Sequence, residues 1–485
     1  MAWCNELFVT GQKCDGGFRG LSPTCHRTFI RTARAYPLGP LTGFDDYPYG
    51  QTQQTIAEQS GWRPTVAGRA SEFAQTGIAA PGIQGVDWEA RVDYGRLRDY
   101  RLARARQALD ASDLGALLVF ESSNIRYLTS THIGTWGYNK TERWALLSRT
   151  GEPWIWDFGS AAKNHRLYSP WLISEQSKGG NTGLQGAIAP TSGLPAEAAK
   201  EIAAILRDEG VADQPLGMDV TEIPFLRALE AEGIDVRDGQ QVMLDARQIK
   251  NEDEILLLSQ AASMVDGVYH DIYETLKPGV RESDIVALAT KRLFEMGSDQ
   301  VEAINSIAGE RCSPHPHVFS DRLIRPGDQA YFDIIHAFNG YKTCYYRTFA
   351  VGRATQAHRD AYAKARELID AAIELVKPGV GTDEIARLWP DATEFGFSSE
   401  MEAFGLQFGH GLGLGLHERP VISKLNSLTS PVEVQKGMVF ALETFWPADD
   451  GHSAARIEEE VVVTADGAEL LTLFPAEELV VTNAY

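Results

Sequence analysis

Asp333 lies inside the apolar string YFDII, and Glu443 inside FALETF. Burying a carboxylate among apolar side chains is costly unless it is paired or holds a cation, so each of these residues demands a partner. A third acidic string, RIEEEVVVT, carries Glu458, Glu459 and Glu460 ahead of a β-branched run; strand alternation turns Glu458 and Glu460 to one face and Glu459 to the other. Histidines recur in two further strings: His410 and His417 in FGHGLGLGLHERP, His315 and His317 in SPHPHVFSDRLIRPGD. Carboxylates joined by an imidazole form an oxygen-rich donor set suited to Mn, Fe, Co or Zn. An ion held there lowers the pKa of bound water and polarises a carbonyl. Another string, NGYKTCYYRTFAVG, places Cys344 and Arg347 on a strand. Alone, each residue has a plainer reading. A strand acid is commonly exposed at an edge or salt-bridged, and the glycines of GHGLGLG allow a tight turn. Their joint appearance over both halves of an internal repeat is what points to a site.

That repeat belongs to the elements that must hold these residues. DEILLLSQAASMVDGVYHDIYETL has apolar residues at helical spacing and stops at LKPGV (276–280), where Pro278 and Gly279 break the helix. One hundred residues on, VKPGVGTDEIARL (376–388) repeats LKPGVRESDIVAL (276–288), again after a long helix. Two related α+β halves facing each other would leave a groove between them for a site. Ahead of them, residues 92–110 read as a helix, and LGALLVF (114–120), RWALLS (143–148) and PWIWDF (153–158) as short buried strands. Residues 196–210 and 223–232 read as amphipathic helices, which makes an α/β domain ending near Asp245. Its Tyr127, Trp136, Arg143 and Trp144 are candidates for lining a substrate groove, where aromatic faces would suit a cationic small molecule.

The chain has 485 residues and a formal charge of −21, with 44% hydrophobic and 23% charged residues. Those are globular values for two to four domains. The negative excess disfavours a phosphate backbone as partner, and no run of apolar residues is long enough to span a bilayer. A soluble, cytoplasmic protein with no nucleic-acid or membrane partner is the expectation. The first 40 residues are locally basic and hold Cys4, Cys14 and Cys25, and residues 38–64 are linker-like. No C-x-x-C pair occurs, so these cysteines read as incidental rather than as a metal site. The chain divides into an N-terminal extension, partly disordered (1–90), an α/β domain (91–245) and an α+β domain (246–485).

The strings RQIKNEDEI (247–255), RPGDQAYFDI, NGYKTCYYRTFAVG, GHGLGLGLHERP, GMVFALETFWP and RIEEEVVVT together resemble the M24 family of methionine and Xaa-Pro aminopeptidases, prolidase and creatinase. The resemblance implies a pita-bread catalytic domain with pseudo-two-fold halves behind a creatinase-type N-terminal domain, and a homodimer. It also implies five metal ligands: two Asp, one His and two Glu. Asp333, His410, Glu443 and Glu458 match four of them. The second Asp is expected eleven residues after Asp333, and that position is Cys344. A thiolate binds Zn or Fe but does not bridge two ions as a carboxylate does, so one ion, an altered pair or none are all open. His417, with His315 or His317 upstream, corresponds to the histidines that polarise the substrate carbonyl or protonate a leaving nitrogen. Arg347, Tyr127, Trp136 and Trp144 are the candidates for substrate contact.

Three reactions compete. The first is metal-dependent hydrolysis of a C–N bond in a dipeptide or small amide-like compound. The second is a creatinase-like hydrolysis without metal. The third is a lyase reaction, because SEFAQTGIAAPGIQG, NIRYLTS, the segment from Trp136 to Trp144 and RALEAEGIDVRDGQ give a layout similar to the dimethylsulfoniopropionate lyases of this superfamily. Those lyases use an Asp near the metal-binding His and keep all the carboxylates, whereas this chain has His417 and Cys344 there. Function is decided at the site, so hydrolysis ranks first, and a protein that only binds a partner ranks last.

Overall fold

The computed structural model describes residues 92–134 and 142–485. The expectations for the extension at 1–90 and for Trp136 lie outside the described residues.

Helix α1 (Tyr94–Asp110) starts at Asp93, whose carboxylate accepts the N–H groups of Gly95 and Arg96. Six strands follow in an α/β arrangement: β1 (Ala116–Val119), β2 (Trp144–Ser148), β3 (Trp154–Asp157), β4 (Ser177–Gly179), β5 (Leu216–Met218) and β6 (Val236–Asp238). They form one mixed sheet in the order β4-β3-β2-β1-β5-β6. Helices α2 (Ser122–Thr129), α3 (Ser160–Tyr168), α4 (Leu194–Asp208), α5 (Ile223–Ala231) and α6 (Gln240–Arg247) connect and cover it. Every residue of β1 and β2 is buried, which is why these strands read as unbroken apolar runs. Alternation splits β1 between two cores: Leu117 and Val119 pack with Leu97 and Leu109 of α1, while Ala116 and Leu118 pack with Trp144, Trp156 and Phe225.

The second domain opens with α7 (Glu252–Thr275), started by a reciprocal cap between Asn251 and Glu254, and α8 (Glu282–Met296). Strands β7 (Gln300–Ala308), β8 (Gln329–Phe338), β9 (Tyr341–Val351) and the C-terminal β15 (Val480–Thr482) form the sheet β15-β9-β8-β7. The second half repeats this pattern with α9 (Gln356–Leu375), α10 (Thr382–Leu388), β10 (Phe408–Gly411), β11 (Glu418–Ile422), β12 (Val439–Pro447), β13 (Ala454–Val463) and β14 (Ala468–Leu470). Its sheet order is β11-β10-β12-β13-β14.

The repeat in the amino-acid sequence is also a repeat of hydrogen bonds. Gly279 donates to the Ile324 carbonyl and Gly379 to the Val434 carbonyl, each at 2.9 Å. Ile324 and Val434 return the bond to Val280 and Val380, each at 2.8 Å. Each glycine has positive φ, 91° and 90°, in the turn after a helix that Val280 and Val380 close by donating to the Lys277 and Lys377 carbonyls, which explains why KPGV recurs with Gly in place. The domain is therefore a pair of pseudo-symmetric α+β halves behind an α/β domain. Strands β9 and β13 meet at the join without a ladder. Thr348 donates to the Arg456 carbonyl (2.6 Å) and accepts its N–H (2.9 Å), and the Glu460 carboxylate accepts the Cys344 N–H (2.7 Å).

Candidate metal centre

Each half contributes one hairpin to the centre. In the first, β8 and β9 place Asp333 opposite Tyr346, with Cys344 two residues away on the same face. In the second, β12 and β13 place Glu443 directly opposite Glu458. His410 comes from β10, whose register against β12 sets Phe408 opposite Glu443 and His410 opposite Ala441. All five side chains are buried. Cys344 Sγ lies 3.5 Å from Asp333 Oδ1 and 3.8 Å from Glu458 Oε2. His410 Nε2 lies 3.7 Å from Glu443 Oε1 and 3.9 Å from Glu458 Oε1. The structure thus gathers Asp333, Cys344, His410, Glu443 and Glu458 around one small space.

The cluster is electrostatically incomplete on its own. Burial pushes the Glu443 carboxyl up to about 8 against the pull of Arg456. Burial and then the neighbouring Glu443 and Asp333 charges push Glu458 well above the usual range. Asp333 and the Cys344 thiol are raised by burial too. His410 moves the other way, down to about 3, because burial disfavours its cation. Its Nδ1 donates to the Gly411 carbonyl at 3.1 Å, so Nε2 carries the lone pair that faces the acids. His410 Nε2 and Glu458 Oε1 are both buried with no hydrogen-bond partner. Two unpartnered lone pairs among repelling acids are where a divalent cation would be stabilised. Donor atoms of Cys344, His410 and Glu458 all lie within 4.8 Å of one another, so these residues fit a divalent ion.

The other histidines border this space. His317 donates its backbone N–H to His315 Nδ1 (2.8 Å), which leaves His315 Nε2–H to donate to the Tyr346 hydroxyl (2.9 Å). The rings of His315 and His317 stack at 3.9 Å. His417 is exposed, and its ring meets that of His410 edge-on at 4.6 Å. The loop carrying His417 is anchored by Glu418, which accepts Lys250 Nζ (2.9 Å) and the Gly415 N–H (2.9 Å) and pairs with Arg247 (3.2 Å). A methyl group at Gly413 would stand 2.6 Å from the Glu418 carboxylate, so GHGLGLG keeps glycine there to let Glu418 fold back under its own loop.

Three expected substrate contacts need correction. Arg347 is three residues from Cys344, so alternation turns it to the opposite face, where it pairs with Glu459 at 2.8 Å. Tyr127 is buried against α6 and donates to the Ala246 carbonyl (3.0 Å). Trp144 is buried in the α/β domain, stacked on Trp156 at 5.8 Å. Tyr127 is a packing residue, and Trp144 borders only a cavity of the α/β domain lined with Trp156 and Glu201. Three residues that do touch the cluster were not among the candidates. Arg456 donates to Glu443 and lies 4.2 Å over the Tyr346 ring. Asn305 Nδ2 donates to Asp333 Oδ2 (2.9 Å) and to the Tyr346 hydroxyl (3.2 Å). Tyr346 and Arg456 were findable, because each sits two positions from a candidate ligand on the same strand face. Asn305 had no such signal.

The chain matches known proteins along both domains. A profile described as Metallopeptidase family M24 fits residues 257–465, and one described as Creatinase/Prolidase N-terminal domain fits residues 101–249. The dimethylsulfoniopropionate lyase DddP of Roseovarius nubinhibens is 27% identical over 421 residues, covering 83% of this chain and 89% of the lyase. The probable dipeptidase PepE of Mycobacterium tuberculosis is 31% identical over 275 residues, covering 55% of this chain and 71% of the dipeptidase. The crystal structure of dipeptidase PepE from Mycobacterium ulcerans superposes with a TM-score of 0.64 at 24% identity, covering 81% of this chain and 99% of that one.

Proposed function

We propose, for a chain that belongs to metallopeptidase family M24, that it hydrolyses a C–N bond in a dipeptide or small amide-like substrate with the help of a divalent metal. The observation that carries this reading is the pair of orphaned lone pairs, His410 Nε2 and Glu458 Oε1, buried among acids and bordered by His417. A divalent ion there supplies an acidified water and a polarised carbonyl. The chain's own residues then divide the remaining work. Glu458, held opposite Glu443 by the β12–β13 ladder, is placed to take the proton of an attacking water. Arg456 fixes the orientation of Glu443. His417, exposed at the mouth, donates a proton to the leaving nitrogen. His315 and Tyr346 hold the opposite wall through their 2.9 Å hydrogen bond. The substrate is a dipeptide or other small molecule, and the working form is a cytoplasmic homodimer.

Lyase chemistry is the second reading, favoured by the length of the match to DddP. The two are separated by incubating the purified, metal-loaded protein with Xaa-Pro dipeptides, creatine-like amidines and dimethylsulfoniopropionate. Release of free proline or another amine, lost in His417→Ala, is the expected result. Dimethyl sulfide release with no amine released from any peptide or amidine would replace hydrolysis by the lyase.

A further inference from the structure

Asp333 differs from the other acids of the cluster in how its oxygens are used. Its Oδ2 accepts Asn305 Nδ2 (2.9 Å), its Oδ1 faces the Cys344 thiol (3.5 Å), and the Tyr346 hydroxyl bonds to the same carboxyl. Tyr346 is in turn held by His315 (2.9 Å) and Asn305 (3.2 Å). Asp333 is thus the end of a closed hydrogen-bonded chain from His315. The free lone pairs lie on the other side, at His410 Nε2 and Glu458 Oε1, with Glu443 Oε1 3.7 Å from His410. Glu443 has one oxygen left for an ion, since Arg456 holds the other.

We propose that the centre takes a single ion, held by Cys344 Sγ, His410 Nε2, Glu443 and Glu458, and that Asp333 is not a ligand. The Asp333 carboxyl is instead taken up by Asn305 and Tyr346. One sulfur replaces the two oxygens with which a carboxylate could bridge a pair of ions. It also makes the donor set softer, which selects Zn, Fe or Co over Mn or Mg. A thiolate and two carboxylates balance one divalent cation and the Arg456 guanidinium, while the Asp333 carboxyl is left to Asn305 and Tyr346. The Cys344 proton passes to solvent as the ion binds. This assignment rests on reading the cluster as a metal centre and is independent of which bond is cut.

The test is a cobalt titration of the full-length protein after chelator stripping, followed by absorption spectroscopy and elemental analysis. The expected result is saturation at one cobalt per chain with an intense sulfur-to-cobalt charge-transfer band in the near ultraviolet. Asp333→Asn should keep both the stoichiometry and the band. Cys344→Ser should lose the band, and Cys344→Ala serves if the serine variant does not fold. Saturation at two cobalt ions, no cobalt bound, binding without the band, a band retained by both Cys344 variants, or loss of cobalt from folded Asp333→Asn overturns the proposal. One cobalt with the band but no amine release from any substrate would remove the hydrolase reading and leave this one standing. Amine release with two cobalt ions would do the reverse.

Discussion

Arg347 and Glu459 form a buried ion pair, 2.8 Å long, that joins β9 to β13 directly behind the candidate metal ligands. The same guanidinium donates to the carbonyls of Glu458 (2.6 Å) and Phe474 (3.0 Å). Arg366 of α9 reaches the other Glu459 oxygen at 3.1 Å. Because Cys344 and Glu458 stand on the opposite faces of these same strands, the pair sets the spacing between the two halves of the centre.

Removing one partner leaves a buried charge unmatched. Arg347→Ala should therefore lower the unfolding free energy by about 3–5 kcal/mol, measured by urea denaturation, and should reduce metal content in the folded fraction. A loss below about 1 kcal/mol, the scale of an exposed pair, would show that the pair does not clamp the halves.

Metal removal should make stability pH-dependent in a defined window. A carboxyl whose folded pKa is raised binds its proton more tightly in the folded chain, so stability falls as pH rises from the unfolded pKa to the folded one. Glu443 and Glu460 are both pushed up to about 8 by burial. His410, lowered from 6.5 to about 3, acts oppositely, and its contribution is complete above about 6.5. Between about pH 6.5 and 8 the acids act alone, and the stripped protein should lose melting temperature as pH rises. The metal-loaded protein should lose markedly less, since the ion holds Glu443 ionised and only the contribution of Glu460 remains. Parallel melting curves for the two forms across that window would contradict the electrostatic account.

Tyr346→Phe removes the hydroxyl that joins His315, Asn305 and Asp333. Turnover should fall ~10–100-fold, the usual scale for a partner one shell out from the ligands, with metal content unchanged. An unaltered kcat would assign the hydroxyl to packing only.

Glu418→Ala leaves Lys250 and Arg247 without their shared carboxylate and frees the loop that carries His417. The expected cost is about 3–5 kcal/mol of stability, with kcat reduced and one metal retained per chain. Gly413→Ala should show a milder form of the same defect, because its methyl group displaces the Glu418 carboxylate. Full activity in both variants would mean that the loop holds its shape without Glu418.

The hundred-residue repeat, the two domains and the strand acids were legible in the chain because each is written in contiguous residues. Gly279 and Gly379 occupy equivalent turns after equivalent helices, and an acid in an apolar strand announces its own need for a partner. Strand alternation also contained the true position of Arg347, three residues from Cys344 and hence on the other face. Asn305 was not legible: it meets Asp333 only through the register of β7 on β8, which no local pattern encodes. Nor could order along the chain tell which lone pairs remain unused. That Asp333 is satisfied while His410 and Glu458 are not depends on where hairpins from two halves, more than a hundred residues apart, come to rest against each other.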